Sequence, residues 1–131
     1  MIGDHTPVPT LGVKDLGRAR KFYEETLGLA PGRDNPGGVE YRAGSSGVFV
    51  YESEFAGTNK ATAVMFELPE DAFDSQIADL RAKGVEFQTF DLPETQWDDG
   101  VASMSMGGVS FRSVWFQDPD GNILNLGTGM G

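Results

Sequence analysis

The chain contains no cysteine and a single histidine in 131 residues. Without thiols there can be no disulfide, no zinc–thiolate site and no cysteine nucleophile. With His5 alone, placed before the first patterned segment, imidazole metal clusters and imidazole-based catalysis lose their usual residue. Cationic side chains are also scarce, ten against twenty acidic ones, for a net charge of −10. Such a field repels phosphate backbones, so nucleic-acid binding is not expected. No apolar run approaches the ~20 residues of a membrane-spanning helix, and no charged-then-apolar leader stands at the start. A cytoplasmic protein without a membrane partner is the expectation.

What is present is typical of a globular domain: 39% hydrophobic residues, nine Phe and two Trp. Val8-Pro9-Thr10-Leu11-Gly12-Val13-Lys14 reads as a strand with Leu11 and Val13 on its core face, Pro9 marking an edge or a start. Asp15 is an N-cap, and Leu16, Ala19, Phe22, Tyr23 and Leu27 then recur at helical spacing until Gly28 closes the helix. Strands follow near Val39–Ala43 and Val48–Ser53, separated by Gly-rich turns. The order then repeats. Thr62–Leu68 alternates with Val64, Phe66 and Leu68 on one face, and Pro69-Glu70-Asp71 opens a helix lined by Phe73, Ile77 and Leu80. Lys83-Gly84 ends it, and Val85–Phe90 reads as the next strand. Asp91–Gly100, polar and carrying Trp97, reads as a long loop. Gly28 and Gly84 stand at nearly the same offset as Val13 and Leu68, which indicates an internal duplication. Phe111–Gln117 alternates again and enters Asp118-Pro119-Asp120-Gly121-Asn122, a sequence built to turn, before Ile123-Leu124-Asn125-Leu126.

The string Val13-Lys14-Asp15-Leu16-Gly17-Arg18-Ala19-Arg20-Lys21-Phe22-Tyr23 with Leu27-Gly28-Leu29, the second repeat, and the Asp118–Asn122 hairpin together resemble the vicinal oxygen chelate superfamily. That superfamily includes glyoxalase I, bleomycin resistance proteins and extradiol dioxygenases. The resemblance spans nearly the whole chain. It implies an α+β fold of two βαβββ modules, 7–54 and 61–128, whose curved mixed sheets form a cup with the helices outside. It also implies a homodimer, and in many members a divalent metal held by His, Gln or Glu. Carried over position by position, the ligand sites fall on Val8, Ala63, Asn125 and the Phe49/Tyr51 region. No metal cofactor is therefore expected, since hard or borderline ions need several converging donors.

Strand alternation places Thr10, Phe49, Tyr51, Met65 and Glu67 on the cup side, together with Met104, Met106, Phe111, Ser113, Trp115 and Asn125. Trp97 is expected at the rim. Aromatic faces and thioethers stack planar apolar ligands, while Thr10 and Asn125 can orient a carbonyl or hydroxyl. Arg112 is expected to serve the fold through an ion pair near a sheet edge. The leading reading is a metal-independent binding protein that sequesters a planar, largely apolar or cationic natural product, as the drug-resistance branch of the superfamily does. A metal-independent isomerase, cyclase or lyase with Glu67 as general base is the alternative. A metal enzyme whose ligands are displaced by one residue, hence onto the other strand face, is the third reading.

Overall fold

In a computed structural model, which describes residues 1–128, the chain divides into two compact units. The first is Met1–Ala63 with Asp118–Asn122, and the second is Val64–Gln117 with the residues from Ile123 onward.

The first unit is β1 (Thr10–Val13), α1 (Leu16–Arg20), β2 (Ala30–Asn35), β3 (Gly38–Ala43) and β4 (Ser46–Glu52), in the sheet order β1-β4-β3-β2. β1 runs parallel to β4, the other pairs antiparallel. Pro9 immediately precedes β1, the edge strand of the sheet, a start position where proline is tolerated, and its carbonyl accepts the Phe49 N–H at 2.8 Å. Asp15 caps α1 by accepting the Arg18 N–H at 3.1 Å. The helix continues as a π-helical turn, Lys21–Thr26, in which Leu27 N–H reaches Phe22 O at 3.0 Å. Gly28, at φ +72°, then releases the chain into β2. Leu11, Val13, Ala19, Tyr23, Val39, Tyr41, Val48 and Val50 are buried, with Tyr23 stacked on Tyr41. β2 was not expected, because Ala30-Pro31-Gly32-Arg33-Asp34-Asn35 neither alternates nor favours strands. It forms as an edge strand beside β3, with an irregularity between Pro31 and Asp34 that absorbs the proline and glycine.

The second unit is β5 (Thr62–Glu67, its first two residues grouped with the first unit), α2 (Glu70–Ala82), β6 (Gln96–Asp98), β7 (Val101–Met106), β8 (Val109–Gln117) and β9 (Ile123–Gly127). Their order is β5-β9-β8-β7-β6. Phe73, Ile77 and Leu80 form the buried stripe of α2, and Val64, Val114, Phe116, Leu124 and Leu126 are among the buried strand residues. Arg112 ties sheet to helix: it pairs with Glu70 at 2.7 Å and Asp74 at 2.8 Å, its guanidinium 4.5 Å from the Phe73 ring centre. The ion pair is as expected, but β8 is an interior strand rather than an edge.

Two expectations fail here. Val85–Phe90 is not a strand; only Gln88 makes an antiparallel bridge, to Trp115, its N–H donating to Trp115 O at 2.8 Å. β7 already occupies that side of β8 as far as Ser113, so little of the edge remains to pair with. Asp91–Gly100 is not all loop, because Gln96-Trp97-Asp98 is β6, paired with Val101–Ser103 of β7. Its turn is Asp99-Gly100, both residues at positive φ (50° and 83°), the conformation that a two-residue Asp-Gly hairpin favours.

Candidate functional site

Residues directly opposite in an antiparallel ladder share a face. In the second unit this defines the rows Trp97–Ala102–Ser113–Gly127, Met104–Phe111 and Trp115–Asn125 on one side of the sheet. Arg112, Val114 and Phe116 project to the other side, toward α2. Trp115 is the centre of the first side. Phe90 meets it edge-on (centroids 5.5 Å apart, planes at 87°), and Trp97 lies 6.2 Å away at 53°. Phe90 and Gln88 were not anticipated at this site. The signal was available, since the Gln88–Trp115 bridge places alternate residues of that segment on the tryptophan's face. The Gln88 Oε1 atom is buried and has no hydrogen-bond partner among the described residues.

Asn125 is buried directly across from Trp115, and its Nδ2 donates to Val114 O at 3.1 Å. Met104 and Phe111 are paired farther along β7 and β8. The side chain of Met106 lies outside the described residues. On β5, Met65 is 52% exposed and Glu67 is exposed in the strand's last position, both opposite the buried Val64. On the first unit, Phe49 and Tyr51 project away from the buried Val48 and Val50 and lie parallel, 6.0 Å apart at 5°. Thr10 neighbours Phe49 across the β1–β4 ladder, and its hydroxyl donates to Val8 O.

The titratable groups with displaced equilibria serve the fold. Tyr23 is buried and its OH donates to Asp118 Oδ2 at 2.7 Å. Burial first, then the Asp118 charge, pushes its ionisation far above the usual phenol range. Asp118 Oδ1 accepts the N–H groups of Asp120 and Asn122, and Asn122 Nδ2 reaches Asp118 Oδ2 and Gly12 O. The Asp118–Asn122 turn is therefore a buried structural network and not an exposed acid cluster, although Asp120 Oδ2 is buried without a partner among the described residues. Arg112 is held further toward its cationic form, chiefly by its hydrogen bond to Asp74.

At the positions that the resemblance assigns to metal ligands, Val8 and Ala63 carry no ligand atom, and Asn125, whose Nδ2 donates to Val114 O, has only its neutral Oδ1 to offer a cation. Among the described residues no three of His, Cys, Asp or Glu come together as a metal set.

The family model described as the Glyoxalase/Bleomycin resistance protein/Dioxygenase superfamily matches residues 4–126. The chain belongs to that superfamily. Solved structures agree with the fold, at low identity. A glyoxalase/bleomycin resistance protein/dioxygenase from Alicyclobacillus acidocaldarius is 15% identical with a TM-score of 0.76, covering 98% of this chain and 93% of the other. The fosfomycin resistance protein FosX from Listeria monocytogenes, in a structure with Mn(II) and sulfate, is 20% identical with a TM-score of 0.70 over 99% and 93%. FosX from Mesorhizobium loti is 18% identical with a TM-score of 0.68 over 99% and 95%. No curated protein matches significantly by sequence. The expected α+β superfamily fold with two modules is the one found, and no helix among the described residues is long and apolar enough to cross a membrane.

Proposed function

We propose that this superfamily member is a metal-independent binding protein that sequesters a planar, largely apolar or cationic natural product. In this reading it acts as a cytoplasmic homodimer built from modules 7–54 and 61–128. The observation that carries the reading is the Trp115 face. The indole packs against Phe90 in a T-shaped contact and against a tilted Trp97, and the residue opposite it is a buried neutral amide, Asn125, not a carboxylate. In this reading a flat ring packs against the Trp115 cluster, where aromatic pairs are favoured. On the first unit, Phe49 and Tyr51 form a parallel aromatic pair of their own. Two of the similar solved structures are named as fosfomycin resistance proteins, which supports a resistance role but not the planar shape of the ligand. The enzyme reading through Glu67 is weaker, because that carboxylate stands exposed in the last position of β5.

Proflavine, a planar cation, and acridine, a neutral homologue, are suitable probes. Both should quench tryptophan emission saturably, and Trp115→Ala should weaken binding about tenfold. Equal affinity in Trp115→Ala would remove the platform from the proposal.

A further inference from the structure

We propose that a cleft lying wholly within the first unit is a separate binding site for a neutral, polyhydroxylated ring, that is, a sugar. The cleft has a volume of about 290 Å³ and is lined by Thr10, Tyr51, Ser53, Phe55, Thr58 and Asn59 among others. That size is at the lower limit of small-molecule pockets, roughly 300–1,000 Å³, which matches one monosaccharide better than a polycyclic ligand.

The lining selects by what it contains and what it omits. No Asp, Glu, Lys, Arg or His side chain contributes to it, in a chain whose net charge is −10. A phosphate would find no cation there, and an ammonium no carboxylate. The polar groups are instead divided between donors and acceptors. The Thr10 hydroxyl donates to Val8 O and that of Thr58 to Phe55 O, so each oxygen keeps lone pairs to offer. Ser53 Oγ accepts the Phe55 N–H and Asn59 Oδ1 the Ala61 N–H, which leaves the Ser53 O–H and the Asn59 NH₂ as donors. Hydroxyl groups of a sugar both give and accept, and this set answers both.

Two rings complete the arrangement. Phe55 is 70% exposed and Tyr51 38% exposed. Their electron-rich faces suit the weakly positive C–H face of a pyranose. The loop that presents Phe55 is anchored at the two residues after it. Ala56 is buried, and Gly57, at φ +78°, sits so close to Asp120 O that a side chain would collide with it. The site is therefore largely formed before ligand arrives.

The cleft shares no residue with the Trp115 rows, although its Tyr51 also belongs to the Phe49–Tyr51 pair, and substitutions at Phe55 and Trp115 let the two proposals fail separately. Full-length ¹⁵N-labelled protein titrated with methyl β-glucopyranoside should show saturable amide shifts confined to Ser53–Asn59 and neighbouring β1. Phe55→Ala should weaken the interaction about fivefold with the remaining spectrum unchanged, whereas Trp115→Ala should leave it intact. Absence of saturable shifts up to about 50 mM sugar, equal affinity in Phe55→Ala, or tighter binding of choline than of the glucoside would overturn the assignment. Comparing an umbelliferyl glucoside with the free methyl glucoside distinguishes the source. A markedly tighter aryl glucoside assigns the cleft to the glycosyl arm of an aromatic conjugate, and equal affinities assign it to a free sugar.

Discussion

Asn125 faces Trp115 across the β8–β9 ladder, and its amide donates to the carbonyl of Val114, one residue before that tryptophan, at 3.1 Å. This neutral side chain thus acts as a brace between two strands. Asn125→Glu should expose that role. The substitution loses the Val114 bond and places an ionisable group in a buried site, at a cost of about 2–4 kcal/mol. Burial would raise the new carboxyl's pKa, so the loss should be smaller at pH 5 and larger at pH 8, where the group must ionise. Urea denaturation of both proteins at the two pH values measures it. Mn(II) or Zn(II) should not restore stability, because Val8 and Ala63 still offer no donor atom. For the same reason, metal analysis of protein purified without chelator should find far less than one ion per chain.

The Tyr23–Asp118 bond gives the fold an alkaline limit. Tyr23 is an acid whose folded pKa lies above its unfolded value. Its contribution is fully present below about pH 10 and is lost as pH rises beyond that, as the unfolded phenol ionises while the folded one keeps its proton. Each such tyrosine adds at most about 1.4 kcal/mol per pH unit. Tyr23→Phe should cost about 1–3 kcal/mol at pH 7, because Asp118 loses a buried donor. It should also flatten the decline between about pH 10 and 11.5. A Tyr23→Phe protein that declines as steeply as the parent would show that other groups set the limit.

Arg112 couples β8 to α2 by ion pairs and by its position over Phe73. Its two carboxylate partners are mostly exposed, so screening leaves little of the stabilisation to charge alone. The ring contact and the packed stem should carry more of it. Arg112→Ala should therefore lower stability by about 1–2 kcal/mol, and Arg112→Met should recover part of that. Half a molar salt should narrow the gap between parent and Arg112→Met but leave most of the deficit of Arg112→Ala.

The sequence made the buried faces readable because alternation and helical spacing are enforced by burial itself. Leu11 with Val13, Val114 with Phe116, and Phe73 with Ile77 and Leu80 are all core residues as expected. β2 escaped notice because an edge strand needs no hydrophobic alternation, only a neighbour with unpaired backbone groups. β6 carried a local signal, Asp99-Gly100, that was masked by the polarity around it. The partial failure of Val85–Phe90 is tertiary: its pattern suits a strand, yet β7 occupies most of the edge it would pair with. The same misreading hid Phe90 from the aromatic cluster around Trp115. At Asn125 the residue type argued against a metal ligand, but its bond to Val114 depends on strand register and is visible only in the fold.

The loop that carries Phe55 depends on one glycine, and this can be tested without any ligand. Gly57 combines φ +78° with a position at which a Cβ would strike Asp120 O. Gly28 also has positive φ, but open space surrounds its missing side chain. The two glycines therefore separate backbone strain from collision. Gly28→Ala should cost about 1 kcal/mol, the penalty of the left-handed conformation alone. Gly57→Ala should cost more than about 2 kcal/mol, because the Asp118–Asn122 turn must move as well. That movement would disturb the Lys14 N–H and Arg18 contacts to Asp120 Oδ1. Amide shifts at Lys14 and Arg18 should then accompany the loss in Gly57→Ala and be absent in Gly28→Ala. Equal costs for the two substitutions, with Lys14 unmoved, would show that the turn yields freely and that the cleft beside it is not preformed.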